Sequence, residues 1–166
     1  MLTFNIRESN ENDFEPIFDI WVKNQGQALG KPLPLENIGE FKQELFRVFS
    51  NVSQSVFYVA HLESGQIIGW QALTPVFSNP LLSKLIAQSS TYVDKEFFKE
   101  NVGQNLFNYA VNDARRIGIS QIYGWVKPGN NAAERIAENF KHHKLFIPNP
   151  ANGNVPAFNL YVIEVE

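Results

Sequence analysis

The segment at residues 89–126 constrains the fold of this chain more than any other. It begins with a run rich in β-branched and aromatic residues at 89–93, which is typical of a strand. Between 102 and 117 apolar residues recur at helical spacing, and Gly118 then suits the left-handed end of a helix. A second β-rich run occupies 119–126. Strand, helix and strand in this order predict a crossover between parallel strands.

The first part of the chain predicts two helices and three strands. Leu2, Phe4 and Ile6 alternate as in a strand, and Asn10 or Asn12 can cap the following helix, which has apolar residues at 14, 17, 18 and 21. The later elements are a loop at 25–34, a helix at 38–49, and two strands at 55–62 and 67–73 that form a hairpin.

The last part of the chain adds one helix and two strands. A turn at 127–130 precedes a helix at 131–140, a strand at 144–147, a loop to 156 and a final strand at 157–165. The summed order is β-α-α-β-β-β-α-β-α-β-β, an α/β (α+β) fold with a mixed central sheet. Because no repeat or linker interrupts it, we expect one domain over residues 1–166.

The composition argues against several classes of protein. Hydrophobic residues make up 44% and aromatic residues 13% of the chain, which excludes general disorder. We expect no membrane span, because no apolar run approaches about 20 residues. We expect no signal peptide, because residues 1–7 alternate apolar and polar and lack a basic start and an apolar stretch. The formal charge of −3 gives no general attraction to nucleic acid. The absence of cysteine excludes disulfides and thiolate metal sites and is typical of a cytoplasmic protein.

The connection between the strand at 89–93 and the helix at 102–117 predicts an anion site. The start of a helix leaves backbone amides without acceptors, and the helix dipole favours negative charge there. Gly103 allows a ligand to approach the main chain closely, and Lys99 adds a positive charge. The sequence therefore predicts a site for a diphosphate. The alternative is a capped helix in which Gly103 only eases packing.

A family resemblance rests on the same segment. The run Ser-Ser-Thr-Tyr-Val-Asp-Lys-Glu-Phe-Phe-Lys-Glu-Asn-Val-Gly-Gln-Asn-Leu at 89–106 resembles the strand, loop and helix start of Gcn5-related N-acetyltransferases (GNAT), closest to the phosphinothricin-acetyltransferase-like branch. The resemblance continues to the Asn-Ala-Ala at 131–133 and implies a GNAT-like fold, acetyl-CoA as co-substrate and no metal. It implies cofactor contacts from Tyr92, Val93, Phe98, Lys99, Glu100, Asn101, Val102, Gly103, Gln104 and Asn131.

The loop departs from the family pattern at two positions. Phe98 replaces a Gln or Arg, and Asn101 replaces the first glycine. Asn adopts left-handed backbone more readily than most residues other than glycine, so Asn101 is compatible with the turn. Phe98 has no comparable explanation.

The resemblance also indicates where the catalytic groups lie. The usual base, a Glu before the Ser-Thr run, corresponds to Gln88, and the usual acid, a Tyr or His after the helix-opening Asn, corresponds to Glu138. Gln cannot accept a proton but can hold a water or the substrate amine. Glu138 can act only if it is buried; otherwise it belongs to an exposed helix face. Asp94 and Glu96 are further candidates for the base, with solvated loop positions as their alternative. Tyr123, His142 and His143 are further candidates for the acid, with a wet, basic helix end as the alternative for the two histidines.

Two further groups of residues have alternative roles. Asn131 either caps its helix or contacts the cofactor. Trp21, Trp70 and Trp125 are expected in the core, and Trp21 and Trp70 are also candidates for lining a substrate pocket.

The resemblance as a whole implies an acetyl-CoA-dependent N-acetyltransferase. Its acceptor would be the primary amine of a small metabolite, such as an amino acid or an amino-acid analogue, and the family implies a homodimer. The alternative is a degenerate GNAT-fold protein that binds an acyl-CoA without turnover, as a sensor or interaction module. The replacements at Gln88, Phe98 and Glu138 favour that alternative.

Overall fold

The computed structural model describes residues 2–28, 35–149 and 157–166. The strands are β1 (Asn5–Glu8), β2 (Val56–His61), β3 (Ile67–Pro75), β4 (Ile86–Val93), β5 (Gln121–Val126), β6 (His142–Ile147) and β7 (Phe158–Glu164). The helices are α1 (Phe14–Ala28), α2 (Ile38–Phe49), α3 (Val102–Ile117) and α4 (Asn131–Glu138). This order confirms the predicted order, and α2 and α3 have their predicted bounds.

Four local predictions were wrong. Residues 25–28 continue α1 instead of forming a loop, while 29–34 and the loop residues 150–156 lie outside the described ranges. β4 begins at Ile86, three residues before the predicted strand start at 89, so Gln88 lies within the strand. α4 ends at Glu138, and His142 and His143 belong to β6 instead of a helix end.

The strands form one seven-stranded sheet in the order β1-β2-β3-β4-β5-β7-β6. The chain divides into two compact units, Met1–Thr74 with Ser90–Ala110, and Pro75–Ser89 with Val111–Glu166. In the first unit β1, β2 and β3 pair antiparallel. In the second, β4 and β5 pair in parallel from Ile86↔Gln121 to Ser89↔Gly124, which confirms the predicted crossover.

Aromatic side chains form the core of the first unit. Phe14, Phe49 and Phe57 are buried, and the ring centroids of Phe49 and Phe57 lie 5.1 Å apart in an edge-to-face arrangement. Such pairs add to the free energy gained by burying the rings. Trp70 is 2% exposed and donates from Nε1 to the Ile17 carbonyl at 3.0 Å. The helices α1 and α2 therefore pack against β2 and β3 through rings.

The second unit buries one face of β5 and β7. Ile122, Tyr161 and Ile163 are buried on that face. Asn159 lies on the same face and donates from Nδ2 to the Glu134 Oε1 of α4 at 3.0 Å. Because side chains alternate along a strand, the other face of these strands carries a different set of residues. Trp125 lies there and is 46% exposed, so its expected place in the core was wrong.

Arg7 and Asp13 fix the start of α1 and give a prediction about stability. The guanidinium donates to both Asp13 oxygens, at 2.7 and 2.9 Å, and the Asn10 amide donates at 2.7 Å. Burial raises the pKa of Asp13, but these hydrogen bonds outweigh it, so the pKa is below its usual 3.8. The carboxylate therefore stabilises the fold above pH 3.8, and the stabilisation is lost as the pH falls through the folded-state pKa.

Asp13→Asn should lower the free energy of unfolding at pH 7 by about 1–3 kcal/mol, because it breaks the paired network around a buried carboxylate. Urea unfolding between pH 3 and pH 7 should show this difference shrinking below about pH 4. Glu15→Gln is the control, since Glu15 pairs with Lys42 at the surface and is 65% exposed. A difference that did not change with pH would contradict the assigned role of Asp13.

Candidate active site

The connection from β4 to α3 forms a defined turn. Asp94 follows β4, and its side chain accepts from the Glu96 amide at 3.2 Å, which caps the short 3-10 helix Lys95–Phe97. Asn101 then adopts φ +57°, the one left-handed non-glycine residue among those described. This conformation reverses the chain so that α3 begins at Val102. The prediction that Asn101 is compatible with left-handed backbone at this turn is therefore confirmed.

The start of α3 presents free backbone amides. Within the described residues, the amides of Asn101, Val102 and Gly103 donate to no protein acceptor. The Asn101 carbonyl accepts from the Asn105 amide at 3.0 Å and from the Asn105 side chain at 3.0 Å. These contacts hold the turn in place. An unpaired set of amides at the start of a 16-residue helix is suited to an anion.

The side chains around this turn leave it open to solvent. Phe98 is 50% exposed. Lys99 is exposed and forms no ion pair with any residue that the structure describes. Glu100 is exposed and accepts from the Leu2 amide at 3.4 Å. Lys99 is thus a cation available near the free amides.

Gly69 of β3 allows α3 to start where it does. A Cβ at this position would lie 3.1 Å from the Tyr92 carbonyl oxygen, 3.1 Å from a Val102 methyl group and 3.2 Å from a Leu106 methyl group. Val102 and Leu106 are both buried. The absence of a side chain at Gly69 therefore sets the distance between β3, the end of β4 and the first turn of α3.

The end of β4 is fixed to α1 by polar contacts. Asn24 donates from Nδ2 to the Ile20 carbonyl at 2.8 Å and to the Val93 carbonyl at 3.0 Å. Lys23 pairs with Asp94 at 3.1 Å, and the Asp94 side chain is 14% exposed. Asp94 is therefore committed to structural contacts, whereas Glu96 is exposed.

Tyr92 lies between two of the predicted pocket residues. Its ring stacks on that of Trp70 at 4.7 Å between centroids. Burial raises the pKa of the Tyr92 hydroxyl, and the neighbouring polar groups of Gln25 and Trp21 offset part of the rise. Trp21 is half-buried. Trp70 is buried, which confirms its predicted place in the core.

The predicted catalytic and helix-opening residues lie in the second unit. Gln88 is half-buried in β4, directly opposite Tyr123 of β5, and its side chain has no hydrogen-bond partner among the described residues. Asn131 is exposed, and the cap of α4 is instead Asn130, whose side chain accepts from the Ala133 amide at 3.3 Å. Of the two alternatives for Asn131, the capping role is therefore excluded. Glu138 is exposed in the last turn of α4, the alternative that the sequence left open.

The remaining acid candidates have other contacts. His143 Nε2 lies 3.1 Å from Glu164, and His142 Nδ1 lies 2.9 Å from the Phe140 carbonyl oxygen.

Within the described ranges, no three acidic or histidine side chains group as they would around a metal ion. None of the described helices is long and apolar enough to cross a membrane. A surface cavity of about 480 Å³ next to Glu8 and Phe57 contains none of the predicted site residues.

Sequence reasoning missed two residues that position the turn. Gly69 lies in a continuous β run. A single glycine within a strand can indicate that another backbone approaches closely, and this was the only sequence signal at Gly69. Asn24 lies among the polar residues at the end of α1, and its bond to Val93 joins positions 69 residues apart. No local sequence pattern indicates a contact of that kind.

Comparison with known proteins identifies the family. The profile of the acetyltransferase (GNAT) family matches residues 15–161, so the chain belongs to this family. No curated protein sequence matches the chain significantly.

Solved structures show the same fold at low identity. A proposed phosphinothricin N-acetyltransferase has 20% identity and a TM-score of 0.81, with 99% of both chains covered. A phosphinothricin acetyltransferase from Sinorhizobium meliloti in complex with acetyl-CoA has 14% identity and a TM-score of 0.75, covering 99% of this chain and 89% of the other. A proposed acetyltransferase from Salmonella typhimurium with acetyl-CoA has 15% identity and a TM-score of 0.75, covering 99% and 95%. The predicted family and its GNAT-like fold are confirmed.

Proposed function

We propose that the protein transfers the acetyl group of acetyl-CoA to the primary amine of a small metabolite, such as an amino acid or an amino-acid analogue. The observation that carries this proposal is the left-handed Asn101 turn with free amides at Asn101, Val102 and Gly103. These amides and the unpaired Lys99 suit the diphosphate of coenzyme A. The acetyl-CoA complexes of similarly folded proteins support the same co-substrate.

The proposed transfer is direct. The amine nitrogen bonds to the thioester carbonyl carbon as the carbon–sulfur bond breaks; the amine loses one proton and the departing sulfur gains one. Backbone amides near Val93 would donate to the carbonyl oxygen as its negative charge develops. Positioning of the two reactants would supply most of the rate enhancement. We propose that Tyr92, Val93, residues 98–104 and Asn131 contact the cofactor.

Gln88 would position the amine without removing its proton. Its amide group is half-buried and has no protein hydrogen-bond partner among the described residues, so it is available to a ligand. Because an amide does not accept a proton at neutral pH, the proton would leave to solvent. The rate should therefore rise with pH as the fraction of neutral amine rises.

Gln88→Glu should raise kcat/KM at pH 7 by about tenfold or more, because a carboxylate at this position supplies the missing base. The measurement is thiol release from acetyl-CoA with a panel of primary amines. Gln88→Met is the matched control, since it keeps the length of the side chain but cannot bind the amine, and it should lower kcat/KM. If the glutamate variant were slower than the parent at every pH, Gln88 would not stand at the base position.

One observation favours a second function. The resemblance places the usual base at Gln88 and the usual acid at Glu138. Gln88 cannot accept a proton and Glu138 is exposed, so neither position has a suitable group. A protein that binds an acyl-CoA without turnover, as a sensor or interaction module, fits these facts. Isothermal titration combined with the thiol-release assay separates the two functions, because the sensor binds acetyl-CoA but releases no thiol with any amine.

Two finer properties complete the proposal. A homodimer is proposed from the family resemblance, and light scattering of the purified protein tests it. A cytoplasmic location is proposed from the absence of cysteine in the sequence.

A further inference from the structure

The outward face of β5, β7 and β6 carries a row of apolar side chains in the second unit. Leu160 of β7 lies directly opposite both Trp125 of β5 and Leu145 of β6, so the three side chains share one face of three adjacent strands. Trp125 is 46% and Leu145 is 60% exposed, and Leu160 is half-buried. The opposite face is closed by buried residues such as Tyr161 and Ile163. We call these three residues the Trp125 row.

A polar row lies beside the Trp125 row on the same face. Tyr123 is two residues before Trp125 on β5, and it lies opposite Gln88 of β4 and Val162 of β7. Phe77 packs edge-to-face on Tyr123, with 6.5 Å between the centroids. Val162 in turn lies opposite His143 of β6, whose Nε2 lies 3.1 Å from the Glu164 carboxylate. An amide, a phenol and an imidazole thus stand beside the Trp125 row, which itself contains no acidic or basic residue.

The dimensions of this surface select a small occupant. Two strand spacings make it about 10 Å wide, and two residues along a strand separate the rows by about 7 Å. This area fits one aromatic ring or a branched alkyl group. A stable protein–protein interface needs about 800 Å² on each partner, far more than these residues supply. If Gln88 held the amino group of the acceptor, an apolar group two to four bonds from the nitrogen would lie over Trp125.

We infer that the acceptor is a primary amine with an aromatic or branched aliphatic group, bound over the Trp125 row with its amino group at Gln88. This inference rests on the proposed function and narrows its substrate class. It predicts a preference for an amine such as 2-phenylethylamine over ethanolamine or glutamate. The uncharged character of the row disfavours a charged substituent, because the charge would lose hydration without gaining a partner.

The test measures amine binding and does not depend on turnover. Calorimetry of the full chain, saturated with coenzyme A, should show 2-phenylethylamine binding at least tenfold more tightly than ethanolamine, and Trp125→Ala should remove that preference. Leu145→Asn should weaken binding of 2-phenylethylamine by about tenfold. Phe146→Asn is the matched control, because Phe146 is also 60% exposed but points to the opposite side of the same strand. It should change the affinity by less than twofold.

The outcomes separate this inference from the proposed function. If acetyl-CoA fails to bind the parent protein, the proposed function is wrong, and so is the inference that rests on it. If acetyl-CoA binds but ethanolamine or glutamate binds as tightly as 2-phenylethylamine, only the inference is overturned. It is also overturned if the Leu145 and Phe146 variants behave alike, or if Leu145→Asn changes only the oligomeric state in light scattering. Circular dichroism confirms that each variant is folded.

Discussion

Asn101→Val should lower the affinity for acetyl-CoA by about tenfold or more, whereas Asn101→Gly should retain the affinity of the parent protein. Asn101 has φ +57°, a conformation that glycine adopts freely and that costs a β-branched residue about 1–3 kcal/mol. Valine would therefore move the turn out of the left-handed region and misdirect the amides of Val102 and Gly103. Since about 1.4 kcal/mol corresponds to tenfold in affinity, the loss should be easy to measure.

The pair of Asn101 variants separates backbone from side-chain roles. Isothermal titration gives the affinities, and thermal unfolding without ligand shows whether each variant is folded. If glycine lost as much affinity as valine, the Asn101 side chain itself would contact the cofactor, and the backbone account would be wrong. If valine bound acetyl-CoA normally, the turn would not be the binding site.

Gly69→Ala should destabilise the protein by about 1–3 kcal/mol, because its Cβ would press on the Tyr92 carbonyl and on Val102 and Leu106. For a chain of this size that corresponds to a Tm lower by roughly 3–10 °C. Gly124→Ala is the matched control: Gly124 also lies in a strand, but a Cβ there meets nothing within 4 Å. Its Tm should change by no more than about 2 °C.

The Gly69 variant also tests the link between packing and ligand binding. Displacement of the first turn of α3 should weaken acetyl-CoA binding in the fraction of Gly69→Ala that remains folded. Equal melting temperatures for the Gly69 and Gly124 variants would show that the contact between β3 and α3 is looser than the structure indicates.

Periodic segments of the sequence were sufficient to predict the order of the elements. α3 has its predicted bounds because its apolar stripe is regular and Gly118 ends it with φ +87°. The predicted loop start at residue 25 was wrong. The polar Gln25 and the following Gly26 suggest a loop, yet both lie in α1 and Gln25 is buried. Tertiary packing of α1 outweighs its weak local preference for a helix there.

The site could be predicted only where its geometry is local. The left-handed turn at Asn101 depends on one residue and its neighbours, so its residue type was informative. Gly69 and Asn24 act through contacts with residues far along the chain, which no local pattern encodes. The exposure of Trp125 depends on what covers β5, and a tryptophan in a strand is ordinarily assigned to the core.

The most direct test compares acetyl-CoA with S-acetylpantetheine, which carries the same thioester but no diphosphate. Isothermal titration of the parent protein should show one acetyl-CoA bound per chain, with a Kd at least about tenfold lower than that for S-acetylpantetheine. Such a difference is expected if the amides at Asn101, Val102 and Gly103 bind the diphosphate. Equal affinities for the two thioesters, or no binding of acetyl-CoA at millimolar concentration, would contradict the account.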